Sequence, residues 1–168
     1  MPRLFALDQN FPQPLIDAAA PYFQDVELEP LWRIDRRLAD LDDWEVLLAL
    51  HHHARPFDGL ITTDDSMLNQ ARELEVVRQT NLTLVVIRAA GHDPIKATGL
   101  LLAHLDYVVS QTTPDRPQVW AFRTGNRPAS DPYESIERIA AHQNRDVEEV
   151  LGEARLTPDE RGRDPLAD

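Results

Sequence analysis

Two apolar stretches of this sequence end in carboxylates. The run LFAL at 4–7 is followed directly by Asp8, and the run GLITT at 59–63 is followed by Asp64 and Asp65. Short apolar runs of this kind predict buried β-strands. Carboxylates brought together at strand ends repel one another, and a cation between them relieves that repulsion. Mg²⁺ and Mn²⁺ are the cations that such oxygen ligands favour.

A further acidic pair, Asp42 and Asp43, stands before a predicted helix that starts at Trp44. A helix that leads back into a parallel sheet starts at the carboxyl edge of the strands, so we expect this pair on the same edge as Asp8. Both acidic pairs are also ordinary helix N-cap sequences, and for either pair alone capping is the simpler explanation. Asp8 has no helix start of its own to cap.

Strands and helices alternate along residues 1–123. Strands are predicted at 3–7, 25–30, 59–62, 82–87 and 118–123, and helices at about 12–23, 44–54, 66–78 and 95–109. The stretch 31–41 is expected to be loop with a short turn. This alternation predicts a three-layer α/β/α domain with a mostly parallel central sheet. Residues 124–131 are typical of a linker, and 132–168 are expected to form a helical extension with a frayed acidic tail.

Composition narrows the class of protein. The chain has no cysteine, which excludes disulfides, thiolate metal sites and a cysteine nucleophile. No apolar run approaches the roughly 18–20 residues of a membrane span, and the N-terminus lacks the features of a signal peptide. We therefore expect a cytoplasmic protein with no membrane partner. The net charge of −12 opposes nucleic-acid binding unless basic residues are concentrated in one place.

Three segments resemble the short PIN-like nucleases related to VapC-type toxins of toxin–antitoxin pairs. They are LFALDQNFPQPL, DDWEVLLAL and DGLITTDDSML, in this order, and the resemblance covers about residues 3–123. In that family an opening strand ends in an acidic motif, a later Asp heads a helix, and a further strand ends in a Thr-x-Asp turn. The resemblance implies a PIN-like fold and a ribonuclease that depends on Mg²⁺ or Mn²⁺.

The resemblance also implies roles for individual residues. Asp8, Asp43 and Asp64 match the acidic cluster that holds the divalent ion. A free carboxylate, Asp43 or Asp65, would orient the attacking water as general base. The positions expected to support this site are Asn10, Asp42, Glu45, Thr62 and Thr63.

Two positions depart from the family pattern. Gln9 stands where many relatives have Glu, and Ser66 stands where they have a second Asp, so each change removes one negative charge from the site. Nearby acidic residues would compensate, or the protein is a catalytically weak or inactive module that binds a metal or a protein partner. A third interpretation is another Mg²⁺-dependent α/β protein, such as a phosphatase or receiver-like domain. Two observations count against this third interpretation: the first strand carries no Asp-x-Asp, and Lys96 is the sole lysine.

Candidate contacts to partners lie in two regions. Arg33, Arg36 and Arg37 are candidates for contacts to RNA phosphates, since guanidinium groups bind phosphate in a fork, although a solvated helix face is the commoner role for arginine. The amphipathic helices after residue 131 either pack back onto the sheet domain or form the surface for a protein partner or a homodimer.

Overall fold

The structure, a computed structural model, describes residues 2–167. Its sheet has six strands in the order β2-β1-β3-β4-β5-β6. The strands are β1 Arg3–Leu7, β2 Val26–Pro30, β3 Gly59–Thr62, β4 Thr83–Ile87, β5 Gln118–Phe122 and β6 Ala129–Ser130. The first five are mutually parallel, and only β6 runs antiparallel to its neighbour. The predicted α/β class with a mostly parallel sheet is confirmed.

Eight α-helices surround this sheet within the described residues. They are α1 Gln13–Ala19, α2 Leu31–Ile34, α3 Asp43–His52, α4 Ala71–Thr80, α5 Pro94–Gln111, α6 Pro132–Gln143, α7 Val147–Ala154 and α8 Pro158–Gly162. Short 3-10 turns occur at Ala20–Tyr22, Arg36–Asp40 and Asp65–Asn69. None of the helices within residues 2–167 combines the length and apolarity needed to cross a membrane.

The sheet separates two apolar cores. Successive residues of a strand point to opposite faces, so Leu4 packs with α3, α4, α6 and α7, whereas Phe5 packs with α1 and α5. The central strand β4 is buried along its whole length, because both of its faces are covered. Helices therefore form one layer on each side of the sheet.

The structure differs from the sequence prediction in two connecting segments. The stretch 31–41, expected as loop with a short turn, forms α2 and a 3-10 turn, and the Asp35 side chain caps that turn by accepting a hydrogen bond from the Arg37 amide (2.8 Å). The predicted linker 124–131 contains β6, which pairs antiparallel with β5. A strand of two residues is too short to produce a detectable alternation of apolar side chains.

The acidic tail also differs from the prediction, because residues 158–162 form α8 instead of fraying. Thr157 and Glu160 form a capping box: the Thr157 hydroxyl accepts from the Glu160 amide (3.2 Å), and the Glu160 carboxylate accepts from the Thr157 amide (2.8 Å). Arg72 of α4 binds the Glu160 carboxylate (2.8 Å) and lies over the Trp44 ring. Met1 and Asp168, which the predicted ranges include, lie outside the described residues.

The C-terminal helices pack back onto α4. Ile136 of α6 and Val150 of α7 belong to the same apolar core as Leu74. Beside this core, the fully buried carboxylate of Glu75 pairs with Arg78 of its own helix (2.7 Å) and with Arg155, which follows α7 (3.5 Å). Removal of one member of a buried ion pair is strongly destabilising, since the group left behind has no partner. Glu75 therefore joins α4 to the C-terminal segment.

We predict that Glu75→Ala lowers the free energy of unfolding by about 3 kcal/mol, because both arginines are deprived of their carboxylate and a buried side chain is removed. Chemical denaturation followed by circular dichroism measures the change. Glu137→Ala is the matched control, since Glu137 is exposed on α6. Equal effects of the two substitutions would contradict the role given to Glu75.

Candidate metal centre

The candidate site lies where the strand order changes direction. The chain continues from β1 to β2 on one side of β1 and then returns to β3 on the other side. In parallel sheets of this order, ligands bind at the carboxyl ends of the two strands that flank this point. Asp8 directly follows β1, and Asp64 stands two residues beyond β3. The Asp8 amide donates to the Ile61 carbonyl (3.0 Å), which ties the two strand ends together.

The hydroxyl of Thr62 connects the two aspartates. Thr62 is the last residue of β3 and is buried, with 1% of its surface exposed, so its hydroxyl must find partners inside the protein. The hydroxyl donates to Asp8 Oδ2 (2.7 Å) and accepts from the Asp64 amide (3.0 Å). A single buried group therefore sets the position of one carboxylate and of the backbone that carries the other.

The neighbours of these aspartates contribute backbone amides. The Gln9 amide donates to Asp8 Oδ1 (2.6 Å), and the Ser66 amide donates to Asp64 Oδ1 (2.8 Å). These two positions are the ones at which the family pattern has acidic residues. Within residues 2–167 no hydrogen bond is formed to Asp64 Oδ2, so this oxygen is available to coordinate a cation.

Asp43 belongs to the same acidic edge although it lies in a different element. It is the first residue of α3 and its side chain is exposed. Partial desolvation, followed by the charges of Asp64, Asp8 and Asp42, raises the pKa of the Asp43 carboxyl. Charges act on a pKa in this way only at short range. The charges of Asp8 and Asp64 therefore act on Asp43 from the same edge of the sheet.

Sequence reasoning missed a further member of this edge, Glu73. The sequence predicts one helix over 66–78, which puts Glu73 in its middle, whereas α4 begins only at Ala71 after a 3-10 turn. Glu73 is consequently in the first turn of α4, where Oε2 is buried with no hydrogen-bond partner among residues 2–167. Burial and the charges of Asp43 and Asp42 raise the pKa of the Glu73 carboxyl. Asp64 caps the 3-10 turn Asp65–Asn69, and because this turn occupies the predicted start of the helix, α4 begins later, at Ala71.

Asp65 is directed toward the end of β4. Its Oδ2 accepts a hydrogen bond from the Ala89 amide (3.3 Å) and lies 3.9 Å from Arg88 Nε. Oδ1 is buried and has no hydrogen-bond partner in the described part of the chain. Asp65 thus stands beside Asp64 in sequence but contacts a different strand end, and its role as general base stays a prediction.

The supporting residues fall into two groups. Asn10 Nδ2 donates to Thr63 Oγ1 (2.8 Å), so this pair connects the loops that follow β1 and β3. The Glu45 carboxylate accepts from the Asp42 amide (3.1 Å) and therefore caps α3. Capping accounts for Glu45, whereas Asp42 also contributes charge that raises the pKa of Asp43.

The three arginines expected to contact RNA lie on α2 and on the 3-10 turn after it. These elements follow β2 and stand at the same edge of the sheet as Asp8. Arg37 pairs with Asp35 (2.9 Å), and this pairing lowers the pKa of the Asp35 carboxyl. Arg33 lies over the exposed Trp32 ring, and Arg36 is exposed. A role of these arginines in RNA binding stays a prediction.

The donor chemistry of this edge fits Mg²⁺ or Mn²⁺. Both ions prefer carboxylate oxygens, and a cation would offset the desolvation and the neighbouring negative charges that raise the pKa values of Asp43 and Glu73. Within residues 2–167, no three acidic or histidine side chains already stand in coordinating geometry. The exposed Asp43 side chain has room to turn toward an ion. Asp8 and Asp64, in contrast, are held by hydrogen bonds.

We predict that Asp43→Asn stabilises the metal-free protein at neutral pH. The folded pKa of Asp43 is raised, so the wild type loses stability as pH rises from the unfolded value of about 3.9 through the folded pKa. The variant is free of this penalty, and its gain stays below about 1 kcal/mol because the side chain is exposed. Thermal unfolding in EDTA from acidic to neutral pH measures the difference, with the exposed Asp106→Asn as control. A decrease in the stability of Asp43→Asn at neutral pH would contradict the raised pKa of Asp43 and the cost assigned to its charge.

We also predict that Thr62→Val weakens Mn²⁺ binding about tenfold, because Asp8 is deprived of the hydroxyl that orients it. Thr83→Val is the matched control: Thr83 is equally buried on β4, and its hydroxyl has no hydrogen-bond partner among the described residues. Calorimetric titration with Mn²⁺ compares the two variants. Unchanged Mn²⁺ affinity in Thr62→Val would rule out this positioning role.

No family model, curated protein or solved structure matches this chain. The side chains themselves are therefore the guide to function. They are three aspartates from three elements, a buried threonine that bonds to one of them and to the backbone of another, and a glutamate in the first turn of α4.

Proposed function

We propose that this protein is a divalent-metal-dependent ribonuclease of PIN-like type, which hydrolyses phosphodiester bonds in RNA. The observation that supports it most is the buried Thr62 hydroxyl, which donates to Asp8 Oδ2 (2.7 Å) and accepts from the Asp64 amide (3.0 Å) and so ties the two acidic strand ends together. These residues come from distant parts of the chain and meet at the edge where parallel sheets bind ligands. Negative charges gathered at one edge cost stability, and a bound cation that takes part in the reaction would offset this cost.

In this proposal Asp8, Asp43 and Asp64 hold Mg²⁺ or Mn²⁺. A bound ion of this type polarises a phosphate oxygen and lowers the pKa of an attacking water. Asp8 and Asp64 are suited to fixed positions because each accepts a backbone amide hydrogen bond, at 2.6 Å and 2.8 Å respectively. The exposed Asp43 completes the set.

Hydrolysis requires a group that takes a proton from water as its oxygen attacks phosphorus. A carboxylate whose pKa is raised is a stronger base at neutral pH than an ordinary one. Glu73 meets this requirement, since its pKa is raised and its Oε2 has no hydrogen-bond partner within residues 2–167. The same proton, or one from solvent, then returns to the oxygen that leaves when the P–O bond breaks.

The alternative is a PIN-like module that binds a metal or a protein partner without cleaving RNA. Two features favour it: the net charge of −12, and the neutral side chains Gln9 and Ser66 at positions where relatives carry acidic ones. The experiment below separates the two proposals, because it measures cleavage and metal binding on the same variants.

We predict cleavage of an end-labelled structured RNA by the full chain with Mn²⁺ or Mg²⁺, and no cleavage in EDTA. Asp8→Asn is expected to lower the rate at least about 100-fold, because it removes the negative charge of a metal ligand while its amide oxygen can still accept from the Thr62 hydroxyl. Asp106→Asn, the same change at an exposed position on α5, serves as control. Glu73→Gln is expected to lower the rate and to leave Mn²⁺ affinity unchanged.

Cleavage that persists in Asp8→Asn would contradict the nuclease proposal. Wild-type protein that binds Mn²⁺ without cleaving, with binding abolished in Asp8→Asn, would identify the metal-binding module instead. Circular dichroism of each variant establishes that it is folded.

A further inference from the structure

We propose that a groove beside the candidate metal centre binds the phosphodiester backbone of single-stranded nucleic acid. Three arginines define this arginine groove: Arg88, Arg123 and Arg138, which line one cavity of about 360 Å³. The inference rests on the proposed function, to which it adds the surface that holds the substrate.

The groove starts at the metal centre and extends along the same edge of the sheet. Arg88 directly follows β4, and Arg123 directly follows β5. Neighbouring strands lie about 4.8 Å apart, so these arginines stand one and two strands beyond Asp64. Arg88 Nε is 3.9 Å from Asp65 Oδ2, and this contact makes the groove continuous with the acidic edge. A strand whose scissile phosphate is at Asp8 and Asp64 would pass over Arg88 and Arg123 next.

Two of the three arginines of this groove have no carboxylate partner within residues 2–167, and the third, Arg88, lies 3.9 Å from Asp65 Oδ2. Arg123 is exposed and forms no ion pair within residues 2–167. Arg138 donates to the Ser135 hydroxyl (2.8 Å) and to the Glu134 carbonyl (3.4 Å), which are neutral acceptors. Elsewhere in this acidic chain, arginines such as Arg72 and Arg78 are paired with carboxylates. A protein of net charge −12 needs cations that are not neutralised by carboxylates in order to bind phosphate, and Arg123 and Arg138 meet this requirement among the described residues.

The C-terminal extension supplies one wall of the groove. A second cavity, of about 380 Å³, shares Leu68, Asn69 and Arg138 with the first and continues along α6 to His142. Leu68 and Asn69 belong to the 3-10 turn that begins at Asp65, so the opposite wall starts at the metal centre. The groove therefore exists only because α6 packs back onto the sheet domain, which gives this extension a part in substrate binding.

The charge around the groove favours a single strand over a duplex. A duplex would bring a second row of phosphates against a protein whose net charge is −12. The lining also includes the carboxylate residue Glu134, which repels phosphate and lowers affinity. Arginine contacts to the backbone do not read base sequence, so RNA and DNA single strands share the chemistry that this groove recognises.

The experiment measures fluorescence anisotropy of labelled single strands of about ten nucleotides, as RNA and as DNA of the same sequence, with the full chain in EDTA. We expect Arg123→Gln combined with Arg138→Gln to weaken binding about tenfold at low salt. The slope of log Kd against log salt should fall by about 0.7 for each phosphate that the variant no longer neutralises. Arg161→Gln combined with Arg163→Gln is the charge-matched control, since both arginines are exposed at α8 and just beyond it, and it should bind within about twofold of wild type.

A substitution that removes a negative charge, and is therefore expected to strengthen binding, tests the same groove. Glu134→Gln removes the negative charge from its lining, and we expect tighter binding, by about twofold or more. Glu134 is exposed on α6, so this substitution leaves the fold intact. A duplex of the same length is expected to bind more weakly than either single strand.

The groove assignment is overturned if the double variant binds like wild type, if wild type does not bind single strands, or if the duplex binds as tightly. Failure of the nuclease proposal alone would give a different set of results. In that case single strands bind through the arginines, but no metal-dependent cleavage follows. Conversely, cleavage that depends on Asp8 and is unaffected in the double variant would retain the nuclease and reject the groove. Equal binding of RNA and DNA supports backbone recognition by the groove.

Discussion

The parallel pairing of β1 with β3 is the interaction on which the candidate site depends, because it brings the carboxylates that follow these strands to one edge of the sheet. The apolar cores on both faces of the sheet hold β1 and β3 side by side, so the acidic residues that follow these strands cannot separate. Asp43 adds a third charge from α3, and desolvation, followed by the charges of Asp64, Asp8 and Asp42, raises the pKa of its carboxyl. The buried Thr62 hydroxyl offsets part of the cost of these charges, since it donates to Asp8. A globular domain whose net stability is only about 5–15 kcal/mol can accept such a local cost only where the rest of the core is well packed.

Helix α4 connects the acidic edge to the C-terminal segment. Three residues in its first two turns have three different tasks: Arg72 binds Glu160 of α8, Glu73 faces the charges of Asp42 and Asp43, and Glu75 pairs with Arg155. Because α6 and α7 pack on α4, the extension is fixed relative to the candidate metal centre. This arrangement explains how helices far along the chain come to line a groove that begins at Asp65.

The sequence predicts the sheet well because parallel strands covered on both faces are continuous apolar runs, as LTLVVI at 82–87 is. It also predicts which edge the acidic residues share, since strand ends and helix starts alternate in a known sense. It fails where a structure depends on few residues or on distant partners. The two residues of β6 are too few to show an alternation of apolar and polar side chains. The hydrogen bond from the Thr62 hydroxyl to Asp8 depends on the pairing of β1 with β3, which the sequence does not show. The Thr157–Glu160 capping box is visible in the sequence but lies in a stretch of otherwise polar character.

Anomalous diffraction from a crystal soaked in Mn²⁺ tests the central claim most directly. We expect one anomalous peak at the carboxyl ends of β1 and β3, at about 2.1 Å from oxygens of Asp8 and Asp64, with the Asp43 side chain turned toward it. Mn²⁺ peaks found only elsewhere on the surface, with the Asp8 and Asp64 carboxylates bonded solely to protein groups and water, would contradict it.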